Sequence, residues 1–303
     1  MNYNLLNEIS KGVVYTFPVI SLYGLIANAL AFVIFSRKKF HQTSFSTYYR
    51  CLIINDTFSL LLPINKFLES NLSINFFYIS DLTCKLRVYY AYVMPPMSAW
   101  ITVLIGVDRM LSIVYPNRCL FRKKANFQIL ICIFVLIFNL IFHIPLLFYN
   151  LKQKIVFNNI TNSSIVYYSC SNNSIPKYLL EFIWAELIPF VLMITTTLIT
   201  IRSLFRSRKV NNNDTTRKRD IKFTITSISL NIIYLLLSLP QCILNVLHIY
   251  STVFKNDYNF YYSFANCLLF LFYVNSTMVF FINFTFNLTF RKEFYSMFFN
   301  NKN

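Results

Sequence analysis

The sequence predicts an all-α membrane protein: a seven-transmembrane helix bundle followed by a short amphipathic C-terminal helix. Three observations carry that expectation. The 303-residue chain is 56% hydrophobic and only 13% charged, where soluble domains carry about 25% charged residues. Seven apolar stretches follow one another, each of the ~20 residues or more that a spanning helix needs. None of them shows the short in-and-out alternation of a membrane barrel.

The elements follow in order. A polar opening, 1–12, is expected outside the membrane, and 13–287 forms the bundle. The opening "MNYNLLNEISKG" lacks the basic, apolar and small-residue pattern of a cleaved leader, so the first span is expected to direct insertion. The spans read as 13–35, 46–70, 86–115, 126–149, 177–205, 221–249 and 260–287. Two connections are longer. Segment 150–176 is Asn/Ser-rich, and its "KIVFNNITNSSIVYYSC" sets β-favouring runs on both sides of turn residues, a hairpin signal. Segment 206–220, "RSRKVNNNDTTRKRD", is polar and basic. The tail, 288–303, contains "LTFRKEFYSMFF", with Phe290, Phe294 and Phe298 at four-residue spacing. That pattern suits a helix lying in the membrane interface, with a frayed tail as the alternative. No cysteine follows Cys267, so the tail offers no palmitoylation site.

Charge sets the orientation. The formal net charge is +17, with 28 Lys and Arg against 11 Asp and Glu. Such a balance can mark a nucleic-acid binder, but here the cations gather on one side. Arg37, Lys38, Lys39 and Arg50 flank the first connection, and Arg118, Arg122, Lys123 and Lys124 the third. Arg202, Arg206, Arg208, Lys209, Arg217, Lys218, Arg219 and Lys222 flank the fifth, and Arg291, Lys292 and Lys302 lie in the tail. The positive-inside rule therefore places the N-terminus outside and the C-terminus in the cytosol, with no nucleic-acid partner. The basic inner face can also attract anionic lipid headgroups. On this topology the sequons at Asn71, Asn159, Asn162 and Asn172 face outward as candidate glycosylation sites. Those at Asn55, Asn213, Asn275, Asn283 and Asn287 do not.

Topology also sorts the seven cysteines. Cys84 begins the third span on the outer side, and Cys170 lies in the long outer connection. Cys51, Cys119, Cys132, Cys242 and Cys267 fall in spans or face the reducing cytosol. Cys84–Cys170 is thus the one expected disulfide, with two free thiols as the alternative. Such a bond typically contributes about 2–4 kcal/mol.

"WITVLIGVDRMLSIVYP", Trp100–Pro116, puts Asp108 beside Arg109 in an apolar run. On insertion scales each charge costs roughly 2.5–3.5 kcal/mol at a helix centre. The run ends the third span, so the pair sits at its cytoplasmic end, where acid and base can partner each other. Cys84 and Arg109 are 25 residues apart, which at ~1.5 Å per residue spans the bilayer.

With these residues in place the chain resembles the rhodopsin-like (class A) G-protein-coupled receptors, over about residues 13–299, and most of all invertebrate neuropeptide receptors. "DRM" stands where that family has Asp-Arg-Tyr. Asn28 in "GLIANAL", Asp56 in "LIINDTFSLLLP", Pro189, Pro240 in "LLSLPQ", and Asn275 with Ser276 fall in the family's order. Three departures stand out. Ser238 replaces the Trp two residues before the sixth-span Pro, the fourth span lacks its Trp, and "VFFIN" replaces Asn-Pro-x-x-Tyr in the seventh, leaving no Pro to kink it.

The resemblance implies a plasma-membrane receptor for an extracellular ligand, coupled to a heterotrimeric G protein through Asp108 and Arg109. Asp220 opens the sixth span, either as a resting latch for Arg109 or as a favourable acid at a helix start. The resemblance points Ser98, Asn275 and Ser276 at Asp56. That set makes either a sodium site or a hydrogen-bonded cluster with Asn28, water and a protonated Asp56. No other metal or cofactor is expected. Helix kinks are expected at Pro189 and Pro240.

Ligand chemistry is read by exclusion. The outer half of the third span, "RVYYAYVMPPMSAW", has no acid for an amine, with Ala91 near that position. The seventh span has no Lys for retinal, with Tyr273 near that position. The hairpin pattern resembles the lid of peptide receptors. An open mouth lined by Lys66, Tyr92, Glu181, Gln241, Asn245 and Tyr273 would suit a peptide. Glu181 either meets a basic peptide residue or is an interfacial acid; Glu186 lies deeper, without an assigned role. The rival readings are a chemosensory receptor of the same fold for a small odorant and a multi-span transporter. A transporter would want more charges facing a midplane path, and no internal repeat suggests paired halves. His41, His143 and His248 form no metal or triad spacing, so no enzyme is expected.

Overall fold

A computed structural model describes residues 3–41, 46–71, 80–115, 125–148, 150–158, 163–171, 182–208, 215–250 and 258–299. Side chains are described over 5–40, 46–71, 80–115, 125–148, 182–206, 221–246 and 263–299. Six helices are long and apolar enough to cross a membrane: Leu5–Phe35, Ser46–Asn71, Asp81–Val114, Ala125–Phe148, Ile183–Arg206 and Ile221–Val246. A bent pair, Ser263–Asn275 and Met278–Phe286, completes the seventh span. The order and number match the sequence reading. Several starts move earlier: the first helix begins at Tyr3, so residues expected as a polar opening continue it, the third at Asp81 and the sixth at Thr215.

The third span is the central post. It touches the second, fourth, fifth and sixth spans, and its buried side chains run from Cys84 to Arg109. Its start is fixed by a capping box at Ser80, whose Oγ accepts from the Thr83 N–H while Thr83 Oγ1 accepts from the Ser80 N–H. That reciprocal pair satisfies two donors at the helix start. The fourth span instead leaves Leu130, Phe134 and Ile141 exposed on its outer face.

Proline shapes two spans. The second breaks at Leu60, between Ser46–Ser59 and Leu61–Asn71, three residues before Pro63. The fifth opens with a π turn, Ile183–Leu187, closed by the Ile188 N–H on the Ile183 carbonyl. Pro189 follows it, lacks an N–H and crowds the turn before it, which is the physical setting for such a widening.

The seventh span bends by 47° without proline. The break falls at Ser276 and Thr277. The Thr277 N–H and Oγ1 both donate to the Val274 carbonyl, at 3.0 and 2.7 Å. A three-residue turn replaces the regular ladder there, so a threonine does what the absent proline was expected to leave undone. Gly24 is where this break meets the second-span break. A Cβ there would stand 2.6 Å from both Leu60 Cδ1 and Thr277 Cγ2.

After the seventh span comes the amphipathic helix, Leu288–Phe299. Asn287 Oδ1 accepts from the Thr289 and Phe290 N–H groups, both at 3.1 Å, and so caps it. Phe290 is fully buried, against Phe35 at 5.3 Å and Phe280 at 5.7 Å between ring centroids. The hairpin pattern also forms. β1, Asn150–Asn158, pairs antiparallel with β2, Ser163–Ser171, with Leu151 opposite Cys170. This two-stranded element is the one departure from an all-α description among the described residues.

Candidate functional site

At the inner end, Asp108 and Arg109 lie in the last two turns of the third span, 5% and 3% exposed. Arg109 Nε donates to Asp108 Oδ2 at 3.1 Å, and its Nη2 bonds the same oxygen. Neither charge therefore faces lipid unpaired. Asp220 belongs to the sixth helix, Thr215–Tyr250, and its side chain, read either as a latch for Arg109 or as a favourable acid at a helix start, lies outside the described residues. One turn deeper, third, fifth and sixth spans meet at Gly106. Asn231 Nδ2 donates to Thr197 Oγ1 at 3.0 Å, and a Cβ on Gly106 would stand 2.8 Å from Asn231 Nδ2.

A second inner feature joins the first connection to the tail. Glu293 accepts from Lys39 at 2.5 Å and Arg37 at 3.0 Å, and Arg37 also reaches Ser296 Oγ at 2.6 Å. Burial alone would raise the Glu293 carboxyl. The hydrogen bonds and charges of Lys39 and Arg37 outweigh it and hold the group below the ordinary glutamate value. Sequence reading placed these cations inside but did not pair them.

In the centre, Asp56 is buried, and Ser98 Oγ donates to its Oδ1 at 2.5 Å. Ser98 Oγ in turn accepts from Asn55 Nδ2 at 2.6 Å. Asn275 and Ser276 are buried but make no hydrogen bond to Asp56 among the described residues. Ser276 offers its carbonyl to Asn28 Nδ2 at 3.2 Å instead, because the bend redirects the backbone there. The expected set of three neutral partners is thus reduced to Ser98, with Asn55 behind it. Asn28 Oδ1 and Ser59 Oγ are buried without a hydrogen-bond partner. The Asp56 carboxyl and the Ser98 hydroxyl are hard oxygen donors, a chemistry that fits a small cation or water. Asn55 was read only as a sequon; a polar residue beside Asp56 in an apolar span was the available signal.

Trp100 and Trp184, the two tryptophans of the chain, stack at 4.4 Å. Trp184 Nε1 donates to Asn139 Oδ1 of the fourth span at 3.2 Å. The indole missing from the fourth span is thus supplied against it by the fifth. Below Ser238, Tyr234 fills the core with Ala99, Val103, Phe190 and Met193.

The outer end holds a polar chain across the fifth and sixth spans. Asn245 Nδ2 donates to Glu186 Oε1 at 2.5 Å, and Gln241 Nε2 donates to Asn245 Oδ1 at 3.0 Å. Gln241 and Asn245 were expected in the pocket; Glu186, unassigned from sequence, is what joins them. Glu181 lies outside the described residues. Tyr273 is not with this cluster. Its ring packs edge-on to Phe17 at 5.5 Å, in a wall with Val14 and Phe67, because the first span lies directly against the seventh. Lys66 is half-buried and Tyr92 is 36% exposed. Cys84 is buried and disulfide-bonded; its partner lies outside the described side chains. Cys51, Cys132, Cys242 and Cys267 are free. Asn71 ends the second span, and Asn159, Asn162 and Asn172 lie outside the described residues.

A seven-span bundle with a buried acid–base pair at one mouth and a polar cluster at the other is the architecture of a membrane receptor. Residues 27–278 match the family described as 7 transmembrane receptor (rhodopsin family). The chain belongs to that family, which comprises receptors of extracellular ligands that signal through G proteins and are not enzymes. The family and the spans make it a multi-pass plasma-membrane protein. Among similar proteins is lysophosphatidic acid receptor 6 of Gallus gallus, 29% identical over 217 residues, covering 68% of this chain and 67% of that one.

Proposed function

We propose that this receptor sits with its N-terminus outside and its C-terminus in the cytosol, binds an extracellular peptide in the outer half of the bundle, and activates a heterotrimeric G protein through Arg109. The Asp108–Arg109 pair carries the coupling half of this reading. A guanidinium buried at the inner mouth and held by its sequence neighbour can be released as a unit when the helices part, and then offered to a partner. Asp220 adds a second hold on Arg109 from the sixth span. The β1–β2 hairpin supports the peptide half, as a lid over the mouth stapled by Cys84–Cys170. Asn71, Asn159, Asn162 and Asn172 carry glycans on the same side.

A lysophospholipid is the second reading, favoured by the name of the chicken relative. A sodium ion at Asp56 and Ser98 is a further proposal; agonist affinity indifferent to sodium concentration counts against it. The deciding experiment is a cell-based calcium and cyclic-AMP screen with a library of peptide amides and with oleoyl lysophosphatidic acid. The expected result is a peptide response abolished by Arg109→Ala at normal surface expression. A response to the lipid alone reverses the ligand assignment, and one that survives Arg109→Ala removes the coupling role.

A further inference from the structure

We propose that Glu186 and Gln241 form a receiving site for a cationic, multiply donating nitrogen group of the ligand, a guanidinium or ammonium, rather than for an anionic headgroup. This rests on the receptor reading and deepens it by naming the ligand's chemistry.

The site faces inward. On the fifth span Glu186 is followed at helical spacing by Phe190, Met193 and Thr197, all buried, while Leu187, Val191, Ile194 and Leu198 are exposed. On the sixth, Gln241 and Asn245 continue the face of buried Tyr234 and Ser238, while Leu236, Leu239 and Ile243 are exposed. The π turn at Ile183–Leu187 packs against the third span and sets Glu186 in this gap.

The hydrogen bonds of the cluster run in one direction. Asn245 presents its amide N–H₂ to Glu186 Oε1, and its Oδ1 accepts from Gln241 Nε2. One N–H of each amide is spent within the cluster. Two acceptors are left open: Glu186 Oε2 and Gln241 Oε1 are both buried with no hydrogen-bond partner. Cys242 lends Glu186 only a weak thiol donor. No cation pairs with Glu186 among the described residues, whereas Glu8 pairs with Lys11 and Glu69 with Arg87 on the same outer side. A half-buried carboxylate with an open oxygen is unfavourable by itself and is satisfied by an incoming charged donor. A phosphate brought to the same atoms would meet oxygen against oxygen. Glu186, Gln241 and Asn245 are each half-buried as residues, while the two open oxygens face the interior, so the entering group meets them from within the bundle.

The test uses the full-length receptor in phosphatidylcholine nanodiscs with no G protein present, so failure of coupling cannot mask it. Arginine amide is the probe, its neutral isostere citrulline amide the control, and thermal melting the readout. Arginine amide at millimolar concentration is expected to raise the midpoint by several degrees. Citrulline amide is expected not to, and Glu186→Gln is expected to abolish the rise. Equal responses to the two amides, no response to either, or a response that Glu186→Gln leaves intact would overturn the assignment. Should Glu186→Gln fail to fold, Gln241→Leu keeps the carboxylate and drops one acceptor. It should weaken the arginine-amide response several-fold, and an unchanged response again overturns the site.

Discussion

The two ends of the bundle handle buried charge in opposite ways. At the inner end every described buried charge has a partner within the chain: Asp108 with Arg109, and Glu293 with Arg37 and Lys39. At the outer end the polar cluster closes on itself only in part and leaves Glu186 Oε2 and Gln241 Oε1 open. A buried charge without a partner is expensive, so a closed end is a resting state and an open end is a demand for something from outside. On the proposed function, the difference separates the end that is opened by a signal from the end that receives it.

The comparison breaks most visibly at Arg109. Replacing it with Ala removes the cation beside Asp108 in a site only 5% exposed, which should lower stability by up to about 3–5 kcal/mol and abolish signalling. Melting of the purified variant, beside a G-protein activation assay, checks both; a variant that melts with its parent would mean the pair is not closed. At the outer end the sign reverses, because Glu186→Gln removes a charge that had no cation, and the ligand-free receptor should melt no lower than its parent.

Gly106→Ala comes next. The added methyl meets Asn231 Nδ2 at 2.8 Å and Thr196 Oγ1 at 3.1 Å, so it should wedge the sixth span from the third and reduce stability by about 1–3 kcal/mol. Basal G-protein turnover, measured at matched surface expression, should rise if the inner end opens as described, and unchanged turnover would argue against that opening. Asn287→Ala removes the cap of the amphipathic helix and should reduce stability by about 1 kcal/mol. Faster amide hydrogen exchange confined to 288–292 is the signature to look for.

The smallest effect belongs to Glu293. Its partners are partly in water, with the Lys39 side chain 70% exposed, so screening limits Glu293→Gln to within about 1 kcal/mol. Its carboxyl is held below the ordinary glutamate value of about 4.3. The contribution is therefore complete above that pH and is lost as pH falls through the lower folded value. A spin-label distance between positions 38 and 297 should lengthen only in that acid range, and should lengthen at neutral pH in the variant.

What could be read from the chain follows from the length scale of each interaction. The spans, their order and the hairpin at 150–171 were legible, because hydrocarbon thickness and strand propensity act on contiguous residues. Asp108 beside Arg109 was legible because the partners are sequence neighbours. Glu186 with Asn245, 59 residues apart, and Arg37 with Glu293, 256 apart, were not, since no local pattern says which helix faces meet. The seventh-span bend was misjudged for a related reason: the residue that turns it is a threonine whose hydroxyl competes for a backbone carbonyl, and no sequence rule weighs that as heavily as a proline.

By itself, then, the sequence determined a seven-span receptor of the rhodopsin family with its acid–base pair at one mouth. Only the packing of one helix on another decided that Ser276 serves Asn28 rather than Asp56, that Tyr273 belongs to a wall, and that an unassigned glutamate faces the site. Insertion depends on the apolarity of each segment separately, whereas a binding site depends on the rotation of several helices about their own axes, which their mutual contacts alone can set.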